Sequence, residues 1–124
     1  MTSTKKRILV VENNKDILGL ISIILDGAGY EYCLLPNELN IFNRIVEFNP
    51  NAILLDIIRP TIEGTELCRL IKEAETTKHI PIIVLSTHPK VENVKDICAD
   101  EVVEKPFDID DLLGTIEEQL SEAS

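Results

Sequence analysis

Five polar side chains stand where short predicted strands end, and four of them follow continuous apolar runs. Glu12 and Asn13 follow the run ILVV, Asp56 follows AILL, Ser86 follows IPIIVL and Lys105 follows the short run EVVE. Continuous apolar runs of this length are typical of strands that are covered on both faces of a sheet. In a parallel sheet the carboxyl ends of the strands meet at one edge, so we expect these five residues to converge there.

This set of side chains is suited to accepting a phosphoryl group. The carboxylate of Asp56 can act as the nucleophile toward phosphorus. A hard cation such as Mg²⁺, held by carboxylates and water, would offset the charge on the phosphoryl oxygens. The ammonium of Lys105 supplies a mobile positive charge for one of those oxygens, and the hydroxyl of Ser86 can donate a hydrogen bond to another.

The elements that must position these residues alternate along the chain between strands and helices. We predict five strands, at Ile8–Val11, Tyr32–Leu35, Ala52–Leu55, Ile80–Leu85 and Glu101–Glu104. Longer segments with apolar residues at helical spacing follow each of them. Five successive βα units predict a single α/β domain, a doubly wound parallel sheet with helices on both faces.

The predicted helices are located by their capping residues and by the helical spacing of their apolar residues. The first is capped by Asn13 or Asn14, and the last begins after Asp108. The second spans roughly Glu38–Phe48, and a short one covers roughly Val91–Cys98. The predicted buried faces of the second and third helices are Leu39, Phe42, Ile45 and Val46, and Leu67, Leu70, Ile71 and Ala74, respectively.

Length and charge limit the possible partners. The chain has 124 residues, so we expect one domain over residues 1–124, with a core from about 7 to 120 and polar termini. The net charge of −10 disfavours direct binding to nucleic acid or to an anionic membrane. No apolar run approaches the roughly 20 residues of a membrane span, and we expect a cytoplasmic protein.

The three cysteines have no spacing that indicates a metal site. Cys33, Cys68 and Cys98 are an odd number without a CxxC pair. We therefore interpret all three as small buried apolar side chains and assign them no redox or metal-binding role.

Taken together, four segments resemble the receiver domain of two-component response regulators, a family with a flavodoxin-like fold. They are ILVVEN at the first strand, ILLDIIRPTIEG around Asp56, IPIIVLS at the fourth strand and ADEVVEKPF before the last helix. No segment is decisive alone, but their order and spacing match the family from Ile8 to about Leu120. The resemblance implies a (βα)5 fold with strand order 2-1-3-4-5.

The resemblance also implies a role for each residue at the sheet edge. Asp56 is expected to accept a phosphoryl group from a histidine kinase or a phosphotransfer protein. Mg²⁺ is expected to bind in an acidic pocket formed by Glu12 and Asp56, with the backbone carbonyl of Ile58 as a further ligand. Ser86 and Lys105 are expected to contact the phosphoryl oxygens.

The signal is expected to leave by a conformational change that a partner protein recognises. The face proposed for that partner consists of the short helix at Val91–Cys98, the strand Glu101–Glu104 and the last helix. The bond between Lys105 and Pro106 is expected to be cis, as in the family, which would direct the lysine into the site. At most, slow self-phosphorylation from small donors and slow self-dephosphorylation are expected, so the domain is not interpreted as an enzyme.

Three positions depart from the family pattern. Asn13 stands where a carboxylate usually binds Mg²⁺ directly, and an amide oxygen can coordinate but carries no charge. Val102 stands where an aromatic ring often moves with the switch hydroxyl, and valine is stiff about its single torsion. The stretch between Ser86 and Lys105 is a few residues shorter than usual.

Two alternative functions are also considered, and the departure at Asn13 bears on the first of them. The first is an interaction module with the receiver fold that works without phosphorylation, because the acidic pair Glu12–Asn13 is incomplete. The second is a small hydrolase with an aspartyl-phosphate intermediate. Such phosphatases commonly carry a second Asp two residues after the nucleophile, and Ile58 occupies that place here.

Overall fold

The computed structural model describes residues 5–37, 39–56, 65–86, 95 and 98–123. Within them lie five strands: β1 (Arg7–Val11), β2 (Glu31–Leu35), β3 (Ala52–Asp56), β4 (Ile82–Ser86) and β5 (Glu101–Glu104). The helices of the described residues are α1 (Lys15–Gly27), α2 (Ile41–Phe48), α3 (Glu66–Glu73) and α4 (Ile109–Ala123). Most of the helix predicted at Val91–Cys98 lies outside the described residues.

The strands form one parallel sheet in the order β2-β1-β3-β4-β5, which confirms the predicted fold class. The register aligns the strands at their carboxyl ends. Val11 pairs with Leu55, and Ser86 pairs with Glu104. The carboxyl ends of β1, β3, β4 and β5 therefore lie at the same edge of the sheet.

Both faces of the sheet are buried, because alternate residues of each inner strand point into different apolar clusters. In β1, Leu9 and Val11 pack under α2 and α3, whereas Ile8 and Val10 pack under α1 and α4. This two-sided burial explains why the inner strands are continuous apolar runs instead of alternating ones.

Helix α1 begins where the sequence predicted, and Asn14 is its cap. The side-chain Oδ1 of Asn14 accepts hydrogen bonds from the backbone N–H groups of Asp16, at 2.9 Å, and Ile17, at 3.2 Å. These bonds satisfy two donors that the first turn of a helix leaves unpaired. At the other end the chain reverses at Gly29, whose φ of +86° suits glycine.

The predicted buried face of α2 was wrong. The helix begins at Ile41, after Asn40 in a left-handed conformation with φ of 61°. Ile41 and Ile45 are buried, whereas three of the predicted residues are exposed: Leu39, Phe42 and Val46. The helix is rotated so that the apolar series starting at Ile41 faces the sheet.

Smaller corrections apply to α3 and β4. In α3 the buried residues are Cys68 and Ile71, and Leu70 is 47% exposed, contrary to its predicted place in the core. Strand β4 begins at Ile82 and not at Ile80. The backbone N–H of Ile80 instead closes a turn onto the carbonyl of Thr77, at 3.0 Å.

The interpretation of all three cysteines as unlinked buried side chains was also wrong. Cys68 and Cys98 form a disulfide, and Cys33 on β2 is a partly buried free thiol. Cys68 and Cys98 are 30 residues apart in sequence and come together only through the fold. Their pairing therefore depends on tertiary structure, which local spacing does not reveal.

In the part of the chain that the structure describes, no helix has both the length and the apolar character that crossing a membrane requires.

Candidate functional site at the carboxyl edge of the sheet

Three strand ends bring Glu12, Asp56 and Lys105 together. Asp56 is the last residue of β3, and Glu12 follows β1 with its backbone N–H donating to the carbonyl of Leu35 at 3.0 Å. Lys105 follows β5, and its backbone N–H donates to the carbonyl of Ser86 at 2.8 Å. The next peptide bond, from Lys105 to Pro106, is cis, as expected.

The ammonium of Lys105 lies between the two carboxylates. Its Nζ is 2.8 Å from Oε1 of Glu12 and 2.9 Å from Oδ1 of Asp56, to which it donates a hydrogen bond. The side chains of Lys105, Glu12 and Asp56 are 9%, 0% and 10% exposed. Two negative charges and one positive charge give this cluster a net charge of −1.

The ion pairs favour the charged form of Lys105. Burial lowers the pKa of Lys105, but the contacts with Glu12 and Asp56 raise it by more. The net result is a pKa above the ordinary value of 10.5. The ammonium therefore stays protonated at neutral pH and provides a fixed positive charge beside the carboxylate of Asp56.

Glu12 is the most deeply buried member of the cluster, and its two oxygens have different surroundings. Oε2 accepts a hydrogen bond from the backbone N–H of Asn14 at 3.2 Å, at the start of α1. Oε1 is in ion-pair contact with Lys105, but it has no hydrogen-bond partner within the described part of the chain. A buried carboxylate oxygen with lone pairs to spare is suited to binding a cation.

Ser86 and Asn13 occupy the same edge in different ways. Ser86 ends β4, is 1% exposed and pairs in register with Glu104, next to Lys105. Asn13 is exposed at the turn between β1 and α1. Ile58, the expected source of a backbone carbonyl for the metal, lies outside the described residues.

The donor set fits Mg²⁺ in chemistry but contains few charged ligands. Carboxylate and amide oxygens are the hard ligands that this ion binds, usually with several waters retained. Glu12 and Asp56 supply two carboxylates, and Asn13, next to Glu12 in sequence, carries a neutral amide. Across the described residues, no group of three or more His, Cys, Asp or Glu side chains is placed to hold a metal ion.

The sequence did not reveal one contact of the site, the hydrogen bond from the Asn14 backbone to Glu12. This bond joins the buried carboxylate to the first turn of α1, where backbone N–H groups favour negative charge. Asn14 was recognised as a possible cap, and a cap two residues after an acidic residue was the signal available. Its backbone contact with Glu12, however, depends on the turn geometry.

The fold and the site define a class of protein. A five-stranded parallel sheet in this order, with carboxylates and a lysine at its carboxyl edge, is a flavodoxin-like α/β domain. Residues 8–117 match the family model of the response regulator receiver domain. The chain belongs to this family, whose members are signalling domains of two-component systems and generally not enzymes.

Among curated relatives, the chain is 34% identical to the phosphate regulon transcriptional regulatory protein PhoB of Pseudomonas aeruginosa, over 90% of this chain and 50% of PhoB. The first relatives, which include the DNA-binding regulator RpaA of Synechocystis, are about twice as long, so this chain spans about half of their length. The whole-protein activities of these relatives therefore do not transfer to this chain.

Solved structures show the same fold. A CheY-like receiver domain protein of Methanospirillum hungatei is 30% identical, with a TM-score of 0.83 and 97% coverage of both chains. The receiver domain of the sensor histidine kinase PA1611 of Pseudomonas aeruginosa is 22% identical, with a TM-score of 0.82 and coverages of 95% and 99%. That domain carries a magnesium ion in its active-site cleft.

Proposed function

We propose that Asp56 accepts a phosphoryl group from a histidine kinase or a phosphotransfer protein, and that this event changes how the domain binds a partner protein. The observation that carries the proposal is the position of Lys105, whose ammonium contacts both Glu12 and Asp56. A buried lysine held beside a strand-end carboxylate is placed to bind an oxygen of a group attached to that carboxylate.

The transfer step requires one bond to form and one to break. A carboxylate oxygen of Asp56 attacks phosphorus, and the bond from phosphorus to the donor nitrogen breaks. The electron pair stays on that nitrogen, which takes up a proton. Lys105 then exchanges its contact with Oδ1 for a contact with a phosphoryl oxygen, and Ser86 is proposed to donate a hydrogen bond to another oxygen.

We propose that Glu12 and Asp56 hold Mg²⁺, with the amide of Asn13 and the backbone carbonyl of Ile58 as further ligands. When bound, the ion neutralises charge on the phosphoryl oxygens. The hydrogen-bond capacity left on Oε1 of Glu12 supports this assignment. The net charge of −1 in the cluster implies weaker binding than a site with one more carboxylate would give.

The remaining features of the proposal concern the extent of the domain, its location and its output. We propose one receiver domain over residues 1–124 that works in the cytoplasm, the usual location of receiver domains, and that signals by protein contact and not by binding nucleic acid directly. The proposed partner surface combines the Val91–Cys98 segment, β5 and α4. Any slow gain or loss of the phosphoryl group by the domain itself would be a secondary activity.

One observation favours a second function, an interaction module that does not depend on phosphorylation. Lys105 already neutralises part of the charge of Glu12 and Asp56, and Asn13 adds none. A site that binds Mg²⁺ too weakly would not be phosphorylated at a useful rate. The fold and its surfaces would then serve only to bind a partner.

Intact-mass measurement separates the two functions. Incubation with phosphoramidate or acetyl phosphate and Mg²⁺ is expected to add one phosphoryl mass to the native chain and none to the variant Asp56→Asn. The variant Asp26→Asn, changed at an exposed carboxylate of α1, is the matched control and should be modified normally. Modification that persists in Asp56→Asn contradicts the acceptor assignment. If the native chain itself is not modified, the interaction module is favoured.

A further inference from the structure

The disulfide between Cys68 and Cys98 connects α3 to the residues that lead into β5. Cys68 lies in the first turn of α3 and is 1% exposed, and Cys98 lies three residues before β5 and is 8% exposed. Their Cα atoms are 5.8 Å apart, within the ordinary range for a disulfide. The bond closes a loop that contains the whole of β4, including Ser86.

This junction, between α3, β4 and the residues that lead into β5, is also held by non-covalent contacts centred on Asp100. One oxygen of Asp100, Oδ2, accepts from Nζ of Lys72 and from the backbone N–H of Ile82, both at 2.8 Å. The backbone N–H of Asp100 donates to the carbonyl of Ile82 at 2.9 Å. Asp100 therefore ties α3, β4 and the entrance to β5 together without help from the disulfide.

The cysteine side chains can also remain packed in either redox form. Both lie in the apolar cluster under α2 and α3. A reduced cysteine behaves as a small apolar side chain, so two thiols can occupy this region with little change in its chemistry. The junction therefore has one link that depends on redox state and a set of links that does not.

We infer that Cys68 and Cys98 are a reversible thiol–disulfide pair that controls how firmly the entrance to β5 is attached to α3. A disulfide in a compartment rich in small thiols is usually transient and regulatory, not a permanent structural link. The inference goes beyond the proposed phosphorylation of Asp56. It rests on the proposed function only in the choice of a cytoplasmic environment.

The redox step is an exchange with a small thiol of the glutathione class. A thiolate of that compound attacks Sγ of Cys98, the more exposed of the two cysteines, and Cys68 leaves as a thiolate that takes up a proton. A second small thiol then displaces the mixed disulfide. The chain gains two thiols, and the two small thiols are oxidised to their own disulfide.

The consequence falls on the strand that delivers Lys105. The chain runs from Cys98 through Asp100 into β5, and Lys105 follows that strand. In the oxidised form the entrance to β5 is fixed covalently to α3. In the reduced form it is held by Asp100, so local opening of the backbone hydrogen bond from Asp100 to Ile82 should become more frequent.

The test uses the full chain with Cys33→Ala, which leaves only the proposed pair. After incubation with oxidised glutathione and removal of the reagent, alkylation under denaturing conditions should add no group. After incubation of the folded protein with reduced glutathione, the same alkylation should add two groups, one on each cysteine. Two groups after oxidation would show that no disulfide forms. No groups after native reduction would show a permanent link. Either result overturns the inference.

Hydrogen exchange of the Asp100 amide tests the proposed effect in the same protein. Exchange should be several-fold faster after reduction, while the amide of Gly29, which is exposed just after the end of α1 and exchanges by local opening, should be unaffected. In Cys98→Ala, glutathione treatment should leave the Asp100 amide unchanged, which controls for effects of the reagent. Equal exchange in both redox forms overturns the inference. None of these measurements uses phosphorylation, so failure of Asp56 to accept a phosphoryl group would be seen separately.

Discussion

The ammonium of Lys105 and the carboxylate of Glu12 meet at 2.8 Å, between one side chain that is 9% exposed and another that is fully buried. The charge of Glu12 is therefore buried in the folded chain even before any ligand binds. Lys105 is the cation that compensates this charge in the described structure, and Asp56 shares it. Stability and the proposed chemistry therefore depend on the same ammonium.

Removal of this ammonium should destabilise the fold. We expect Lys105→Met to lower the free energy of unfolding at neutral pH by about 3 kcal/mol, because Glu12 is left buried without its counter-charge. Urea unfolding followed by circular dichroism measures the change. The control Lys6→Met, at an exposed position, should change it by less than about 0.5 kcal/mol. If both variants lose the same amount, the ion pair contributes nothing to stability.

A double-mutant cycle with Glu12→Gln separates the charge from the lost packing. The double variant Glu12→Gln, Lys105→Met should be more stable than Lys105→Met alone, because a neutral amide is less costly to bury than an unpaired carboxylate. Additive effects of the two substitutions would contradict the coupling inferred from the 2.8 Å contact.

The raised pKa of Lys105 predicts a loss of stability at alkaline pH. The folded pKa lies above the ordinary value of 10.5. The contribution of Lys105 is therefore fully present below pH 10.5 and is lost as the pH rises through the folded pKa. The difference in unfolding free energy between the native chain and Lys105→Met should shrink over this range.

Tyr30 titrates in the same direction and must be controlled. Burial and the nearby Glu117 raise the pKa of Tyr30 above 10.0. Ionisation of Tyr30 at rising pH therefore also destabilises the folded protein. The alkaline comparison is therefore made in a Tyr30→Phe background. The two proteins compared are Tyr30→Phe and the double variant Tyr30→Phe, Lys105→Met. If the difference in their unfolding free energies stays constant through the alkaline range, the prediction for Lys105 is contradicted.

Restoring a carboxylate at position 13 should strengthen the proposed metal site. We expect Asn13→Asp to improve Mg²⁺ binding by about 1 to 3 kcal/mol, because it adds a full charge beside Glu12 and Asp56. Calorimetry is the appropriate measurement, since the chain has no tryptophan. Asn49→Asp makes the same change at the opposite edge of the sheet, before β3, and should have little effect. Equal affinities in all three proteins would mean that Asn13 does not face the ion.

Phosphorylation should alter the proposed partner surface through the backbone, because Val102 has no ring to move. With a beryllofluoride mimic and Mg²⁺, NMR shifts are expected in residues Ser86–Cys98 and Val102–Pro106. Most of the first range lies outside the described residues. Asp56→Asn should show none of these shifts. Shifts confined to the neighbours of Asp56 in the native chain would exclude this surface as the output.

Reduction of the disulfide should lower global stability as well. The chain-entropy model gives about 3 to 4 kcal/mol for a closed loop of this length, whose two cysteines are 30 positions apart in sequence. Urea unfolding with and without dithiothreitol measures the change, and Cys33→Ala should show the same difference. An identical midpoint in both conditions would show that the cross-link does not constrain the unfolded chain.

The strand ends could be predicted because they depend on a strong local signal. Fully buried strands require continuous apolar runs, and in a parallel sheet the residues after those runs share one edge. Glu12 and Asp56 were found in this way, and Lys105 was found as the residue after the shorter strand EVVE. In the structure Lys105 contacts both carboxylates. The family resemblance supplied the strand order and the cis bond before Pro106, neither of which follows from periodicity.

The errors arose where the local pattern allowed more than one arrangement. Around α2, apolar residues occur on two neighbouring faces, so helical spacing placed Ile45 correctly on the buried face but did not show that Ile41 also faces the sheet while Phe42 and Val46 do not. The pairing of Cys68 with Cys98 and the contact of Asn14 with Glu12 depend on tertiary packing and turn geometry. The cysteine pairing has no signature in the spacing of residues, and the position of Asn14 two residues after Glu12 does not by itself determine their contact.

The loop closed by Cys68 and Cys98 also gives the chain a mechanical property. If the protein is pulled from its two ends, the segment between the two cysteines, which are 30 positions apart, cannot extend while the disulfide is intact. Fully stretched, this segment would span about 100 Å, so the oxidised chain should be shorter by roughly that length after forced unfolding. Strand β4 and the segment after it would bear no tension, and a cell's thiol chemistry would decide how far this protein can be stretched.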